Sequence, residues 1–289
     1  MGIIYLKTRK HPNIFLRVFG VRPTEFEIIC RAIEPLWEKE VLDRYKKIGR
    51  RYKLSVPEMV MMLLMYYRTY TTQLQIGFLF GLDDSRVCRI LRRLEPIVAK
   101  VMAIEKNRRL TPEEVTLLLD VTEQPIERPK NNQGDYYSGK KKRHTLKTEI
   151  RVTQEGKIRS VSKAFAGKTH DFRILKESDP LPNHTRVLAD SGYQGLKKRC
   201  HRAKIPYKKT KRNPLTHRQK LFNRALSKRR IKVENIFAQL KVFRILSDRY
   251  RNKGLRHNLK FNIIAGLVNF KNGFQNKHFL KTPHYNLSA

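Results

Sequence analysis

Two apolar runs in this chain each stop at a bare carboxylate. VTLLLDVTEQP, from Val115 to Pro125, halts at Asp120, and RVLADSGYQG, from Arg186 to Gly195, halts at Asp190 before a glycine-flanked turn. A third acid, Glu234, stands in RRIKVENIFAQLKVFRIL, from Arg229 to Leu246. Between Ser191 and Ala289 the chain has 26 Lys and Arg and only two acids, Glu234 and Asp248, so a carboxylate kept there has a reason. Either Glu234 is the salt-bridge partner of a neighbouring arginine and the aspartates form turns, or the three acids face a cation. All-oxygen donors would suit a hard ion such as Mg²⁺, whereas zinc prefers sulfur and imidazole. Cys30, Cys88 and Cys200 are scattered without a C-x-x-C, which argues against a zinc knuckle and a disulfide framework.

The elements that would carry these acids can be read from periodicity. Residues 1 to about 108 read as helical, with runs at Glu25–Leu42, Val56–Tyr70, Thr72–Phe80 and Ser85–Val101. KNRRLTPEE, Lys106 to Glu114, is polar, contains Pro112 and reads as a linker. VTLLLDVT then suits a central strand buried on both faces. TLKTEIRVT, Thr145 to Thr153, alternates, and QEG turns it into KIRSVSKAF as a hairpin. HDFRILKES reads as a short helix, RVLAD as another buried strand, and helical pattern returns over Leu221–Leu246 and Leu259–Phe270. Strand, hairpin, helix, strand, helix is the order of a ribonuclease-H-like α/β domain with a mixed sheet. In that order the first strand lies beside the strand after the helix, so Asp120 and Asp190 become neighbours at one sheet edge, where open α/β sheets bind ligands. On a helix at about 100° per residue, Arg230 lies roughly 40° from Glu234 and Lys241 roughly 20° away, one stripe beside Val233, Phe237 and Leu240.

The charge speaks about partners. With 63 Lys and Arg against 25 Asp and Glu, the net charge of +38 implies a polyanion, nucleic acid first. No apolar run approaches the roughly 20 residues that span a bilayer, and no signal peptide is visible, so the expected place is the cytoplasm or nucleoid. TTQLQIGFLFGLDDSRVCRILRRLEP, Thr71 to Pro96, reads as a helix-turn-helix with a turn at Gly81–Asp84 and Ser85 as cap of the second helix. Val87, Ile90, Leu91 and Leu94 would form its buried stripe, leaving Ser85, Arg86 and Arg89 to meet DNA bases. The alternative is an arginine-rich helix facing solvent.

Longer motifs carry a resemblance. DVTEQPIERPK, YYSGKKKRHTLK, GKTHDFRIL, LADSGYQG, RRIKVENIFAQLK and RYRN resemble the DDE transposases of bacterial insertion sequences, the insertion-sequence-five group, related through the endonuclease domain to Harbinger elements. The resemblance implies that Asp120, Asp190 and Glu234 are the catalytic and metal-holding acids. Arg230 and Lys241 fit the family's pattern around the glutamate, and Ser227 stands where the family often has tyrosine. It implies two Mg²⁺ ions, with Mn²⁺ as a substitute, because phosphodiester chemistry needs neutralised phosphoryl charge and an activated oxygen. The expected domains are 1–108, helical, with the helix-turn-helix near 71–96; 109–275, the endonuclease; and 276–289, a tail. Double-stranded DNA, both element ends and target, is the expected partner, bound by a homodimer, with Lys208, Lys209, Arg230 and Lys241 among the contacts. Asp171 is either a helix N-cap or an auxiliary acid. Glu123 is a candidate supporting group, and His144 and His170 are polar or DNA-contacting residues. Two other readings stay open: a catalytically silent DNA-binding descendant, and a metal-dependent nuclease that cuts without joining.

Overall fold

A computed structural model describes residues 3–42, 52–104, 116–178, 180–181, 185–210, 214–252 and 256–274. The linker expected at 106–114 and the tail from 276 fall outside these residues. The chain divides into two compact units. Unit 1 is Met1–Ala103, Lys241–Asp248 and Asn262–Ala289; unit 2 is Ile104–Leu240 and Arg249–Phe261.

Unit 1 is built from helices whose starts are written in the sequence. α2 (Pro12–Phe19), α3 (Pro23–Trp37) and α4 (Val56–Thr69) each have proline in the first two positions, where its missing N–H costs nothing. α1 spans Ile3–Arg9, α5 Gln73–Phe80 and α6 Asp84–Met102. α4 is apolar nearly all round and buries Met59 through Leu64 together with Tyr66 and Tyr67, so it forms the middle of the unit. Thr72 caps α5 by accepting from the Gln75 N–H at 3.2 Å. Gly81 ends α5 in the left-handed region at φ 65°, which lets the Leu82 N–H reach back to the Gly77 carbonyl at 2.8 Å.

Two later segments complete this unit. Phe243, Ile245 and Leu246 are buried, with the Phe243 ring against Gly20, and α10 (His257–Lys271) buries Ile263, Ile264, Ala265, Leu267 and Val268. The contiguous 109–275 domain read from the sequence therefore differs from the observed partition. Residues 241–248 and 262–274 find their apolar partners among the N-terminal helices.

Unit 2 holds a mixed sheet in the order β2-β3-β1-β6-β7. β1 is Thr116–Pro125, β2 Tyr137–Ser138, β3 Arg143–Thr153, β4 Ile158–Val161, β5 Phe165–Ala166, β6 Arg186–Leu188 and β7 Ala203–Lys204. β4 and β5 also pair with β3. β1 runs antiparallel to β3 and parallel to β6, and β6 is parallel to β7. α7 (Gln133–Tyr136) precedes β2, α8 (Asp171–Glu177) precedes β6, and α9 (His217–Lys241) follows β7. One sheet face carries Leu117, Leu119, Val187 and Ala189 into a core with Leu175, Tyr193, Leu196, Ala203 and Ile205. β3, expected to alternate, is instead buried almost throughout from Thr145 to Thr153. Among the described residues no helix is long and apolar enough to cross a membrane.

Gly266 supplies a test of the α10–α6 contact. A Cβ there would sit 1.4 Å from the Met102 carbonyl oxygen, a backbone atom that cannot swing away. Gly266→Ala is expected to destabilise the protein by about 3 kcal/mol or more, at the upper end of overpacking penalties, despite alanine's better helix propensity. Urea unfolding checks this; a midpoint equal to wild type would remove the contact.

Candidate active site

Asp120 and Asp190 are brought level by strand pairing. In the parallel β1–β6 ladder Leu117 faces Val187 and Leu118 faces Leu188, and the same register carried two residues on aligns Asp120 with Asp190. β6 ends at Leu188, so both aspartates lie beyond the parallel ladder. Asp120 does not end its strand, however: β1 continues to Pro125 because β3 keeps pairing with it, Asp120 opposite Ile150. Leu117 and Leu119 turn into the core, so alternation sends Asp120 to the opposite face. There Arg230 of α9 donates from Nη2 to Asp120 Oδ2 at 3.1 Å.

Asp190 starts a tight turn. Its Oδ1 accepts from the Gly192 N–H at 2.7 Å and its carbonyl accepts from the Tyr193 N–H at 3.3 Å. Gly192 is there for space: a Cβ would lie 2.6 Å from Asp171 Oδ2 and 3.0 Å from Asp190 Oδ1. Asp171 is thus beside Asp190. It is not the cap of α8, because His170 holds the N-cap position and the Asp171 side chain instead meets Lys147 Nζ at 3.2 Å. As the first residue inside α8, Asp171 stands one position too late to cap it. Burial pushes the Asp120 carboxyl up to about 6 against the pull of Arg230, with Asp190 and Asp171 adding like-charge repulsion.

Glu234 is exposed on α9, one turn beyond Arg230. The alternative reading, a salt bridge from Glu234 to Arg230, is not formed; the guanidinium goes to Asp120. Among the described residues no three His, Cys, Asp or Glu side chains converge closely enough to hold a metal. The acids present are oxygen donors of the type a hard divalent ion takes, while the Arg230 guanidinium supplies the positive charge beside Asp120. Arg230 Nε is buried and has no hydrogen-bond partner. Lys208 and Lys209 are exposed after β7, and Lys241 is exposed at the end of α9. Thr145 Oγ1 donates to Glu123 Oε1 at 2.6 Å, and His144 packs edge-on against Tyr137.

One set of residues escaped the sequence reading. Tyr193, fully buried, donates its hydroxyl to Glu149 Oε2 at 3.0 Å, and Arg151 Nε donates to Glu149 Oε1 at 3.0 Å. Burial raises the Glu149 carboxyl, and the Tyr193 phenol is raised well above its ordinary range by burial and by Glu149. This network ties the turn after Asp190 to β3. The signal available was E-I-R in a strand, an acid and a base two residues apart and hence on one face.

In the N-terminal helices, Ser85, Arg86 and Arg89 are exposed on the first turns of α6, while Val87, Ile90, Leu91 and Leu94 are buried. The cap is Asp83 rather than Ser85: its Oδ1 accepts from the Arg86 N–H at 2.8 Å and its Oδ2 pairs with Arg86 Nε at 3.0 Å. A carboxylate two residues earlier starts the helix sooner and favours the N-terminal dipole more than a hydroxyl would.

The helix-turn-helix leading into a mixed-sheet unit with acids beside one strand end defines a class, and comparison with known proteins agrees. Residues 119–269 match the DDE superfamily endonuclease family, and residues 52–104 match the helix-turn-helix of DDE superfamily endonucleases. The chain belongs to the DDE superfamily endonucleases and is an enzyme of the DDE transposase type. It is 36% identical over 263 residues to the "Probable transposase for insertion sequence element IS702" of Microchaete diplosiphon, covering 89% of this chain and 94% of that protein. It is 24% identical over 257 residues to the "Putative transposase for insertion sequence element IS112" of Streptomyces albus G, covering 86% and 92%. No solved structure matches the chain.

The raised Asp120 carboxyl gives a sign for pH. Its folded pKa, about 6, exceeds the ordinary 3.8, so its contribution is present at low pH and is lost as pH rises from about 4 through 6. The loss is about 3 kcal/mol, from roughly two units at 1.36 kcal/mol each. Buried His257, lowered to about 4 from 6.5, gives the opposite slope in the same window. Comparison with Asp120→Asn cancels that shared term. In metal-free buffer the stability of Asp120→Asn relative to wild type should improve by about 3 kcal/mol between pH 4 and 7.5. Urea unfolding across pH measures it; parallel curves would contradict the burial argument.

Proposed function

We propose that this chain cuts phosphodiester bonds at the ends of an insertion element and joins the freed ends to target DNA. In this reading Asp120, Asp190 and Glu234 hold two Mg²⁺ ions, with Mn²⁺ able to substitute. The observation that carries it is the parallel β1–β6 register, which puts two aspartates 70 positions apart level with one another. The arrangement of an antiparallel β1–β3 pair followed by parallel β6 and β7 supports a ribonuclease-H-like fold for unit 2.

Metal bound there would neutralise phosphoryl charge and activate the attacking and leaving oxygens. The protein's own part is positioning. Asp120 and Asp190 offer hard oxygens from a sheet and a turn that cannot shift independently. Glu234 supplies the third carboxylate from α9. Arg230 holds the Asp120 carboxylate through Nη2, and its unpartnered Nε would be a donor for a phosphate oxygen if the side chain turned outward. Asp171 stays with Lys147 as an auxiliary acid whose charge is already balanced. Lys208, Lys209 and Lys241 hold the duplex by phosphate contact, which positions the DNA without reading it. Ser85, Arg86 and Arg89 read base edges from α6 in the major groove. An element has two ends, each needing one reading unit and one set of acids, which favours a homodimer on DNA, acting on the nucleoid.

Asp120→Asn, Asp190→Asn and Glu234→Gln should each lower Mg²⁺-dependent nicking and joining of an end-containing duplex by more than about 100-fold. Even groups that only orient metal ligands cost 10–100-fold when lost. Affinity for the same duplex should be unchanged, and the Mn²⁺-induced rise in melting temperature should shrink. A folded Glu234→Gln protein that still nicks in Mg²⁺ would exclude Glu234 from the set. Nicking without any joined product would favour a nuclease.

The DNA-reading helix is tested on the full chain, because unit 1 includes segments from beyond residue 240. Arg89→Ala should lose about 1–3 kcal/mol of binding to the element end and relax base preference at one position. Equal weakening on all sequences would assign Arg89 to phosphate instead.

A further inference from the structure

Tyr207 is an aromatic side chain held out to solvent in the most basic part of unit 2. It is 44% exposed, although its backbone is clamped from both sides by α9: the Tyr207 N–H donates to Asn223 Oδ1 at 2.9 Å, and Asn223 Nδ2 donates to the Tyr207 carbonyl at 3.0 Å. Phe222 props the ring edge-on, with centroids 5.3 Å apart, and Lys197 Nζ lies 5.8 Å from the ring centroid. Lys204, Lys208 and Lys209 around it are exposed. A partly exposed aromatic ring braced by Phe222, with Lys197 over it and exposed lysines beside it in sequence, matches what binds single-stranded nucleic acid, a stacking surface within an electrostatic groove.

Its place in the fold fits the candidate site. In the β6–β7 ladder Val187 faces Ala203 and Leu188 faces Lys204, so the register carried on sets Asp190 level with Pro206, one residue before Tyr207. Along α9, Asn223 at the ring and Arg230 at Asp120 are seven residues apart, about 10 Å of helix rise. That is roughly three nucleotide steps at 3.4 Å.

We propose that Tyr207 stacks on a nucleobase unpaired from its partner strand, within a few nucleotides of the bond to be cut. This rests on the DNA-cutting reading and adds to it a requirement for local strand opening that Tyr207 holds in place. A paired base has no free face for the ring to cover, so the preference should be for opened DNA over closed duplex.

The test uses the full-length protein and two mixed-sequence probes, a fully paired duplex and the same duplex with a forked, unpaired end carrying 5-iodouracil in one arm. Wild type should bind the forked probe roughly ten-fold tighter than the paired one, within the range alanine scanning gives for one stacked base. Ultraviolet light should cross-link the iodouracil arm to the peptide containing Tyr207. Tyr207→Ala should lose the fork preference and the cross-link while binding the paired duplex as wild type does; Tyr207→Phe should keep the preference. Circular dichroism confirms that both variants are folded. Fork preference that survives in folded Tyr207→Ala overturns the proposal, as does paired-duplex binding by wild type with no preference for the fork. If wild type binds neither probe, the DNA-cutting reading itself fails and this one falls with it.

Discussion

The parallel pairing of β1 with β6 is the constraint on which the site depends. Parallel neighbours cannot be joined by a tight turn, so the chain spends the residues between them on β2 to β5 and α8 before returning. A slip of one residue would move Asp190 out of level with Asp120 and turn every β6 side chain to the wrong face. Hydrophobic alternation guards the register, because Val187 and Ala189 must enter the core that holds Leu117 and Leu119. The Tyr193–Glu149–Arg151 network guards it again from β3, on the far side of β1 from β6. Buried ion pairs contribute little net stability, since desolvation offsets most of the Coulomb attraction. What this one fixes is the path of the chain just after Asp190.

The second theme is the pairing of acids with cations in a protein of net charge +38. Asp120 has Arg230, Asp171 has Lys147 and Glu149 has Arg151. Asp190 is satisfied by a backbone N–H from its own turn. Each of these four acids therefore has a local partner, three of them a cation and Asp190 a backbone N–H. The partners differ in burial. Glu149 and Arg151 are almost fully enclosed, while the Asp120–Arg230 pair is partly exposed.

Much of this was legible in the residues because each element announces itself locally. The apolar runs at Leu117–Leu119 and Val187–Ala189 read as buried strands, and the α6 stripe of Val87, Ile90, Leu91 and Leu94 reads as one helix face. What stayed hidden depended on partners distant in sequence. Asp171 looked like a cap because it follows His170 at a helix start, and nothing nearby in sequence reveals that Lys147 of β3 pairs with it. Ser85 looked like a cap for the same reason, although Asp83 and Asp84 just before it are stronger. β3 looked half-exposed because Glu149 and Arg151 are charged, yet they satisfy one another in the interior. The apolar pattern of α10 was clear, but amphipathy says that a face is buried without saying against what. The level placement of Asp120 and Asp190 followed from element order, whereas Arg230 choosing Asp120 over Glu234 required the geometry of α9.

The way the chain is shared between the units bears on its birth. Unit 1 takes its first hundred residues from the start of the chain and most of α10, from Asn262 on, from near the end. At about 5–20 residues per second a ribosome needs several seconds or more to travel from α6 to α10. During that interval α6 has emerged without the helix that covers its C-terminal end, while β1 to α9, the larger part of unit 2, is already available. A chain released early, by a stop codon or a frameshift after α9, would carry all three candidate acids but would lack the closing segments of both units. The order of synthesis thus makes the apolar core of unit 1 the last thing completed.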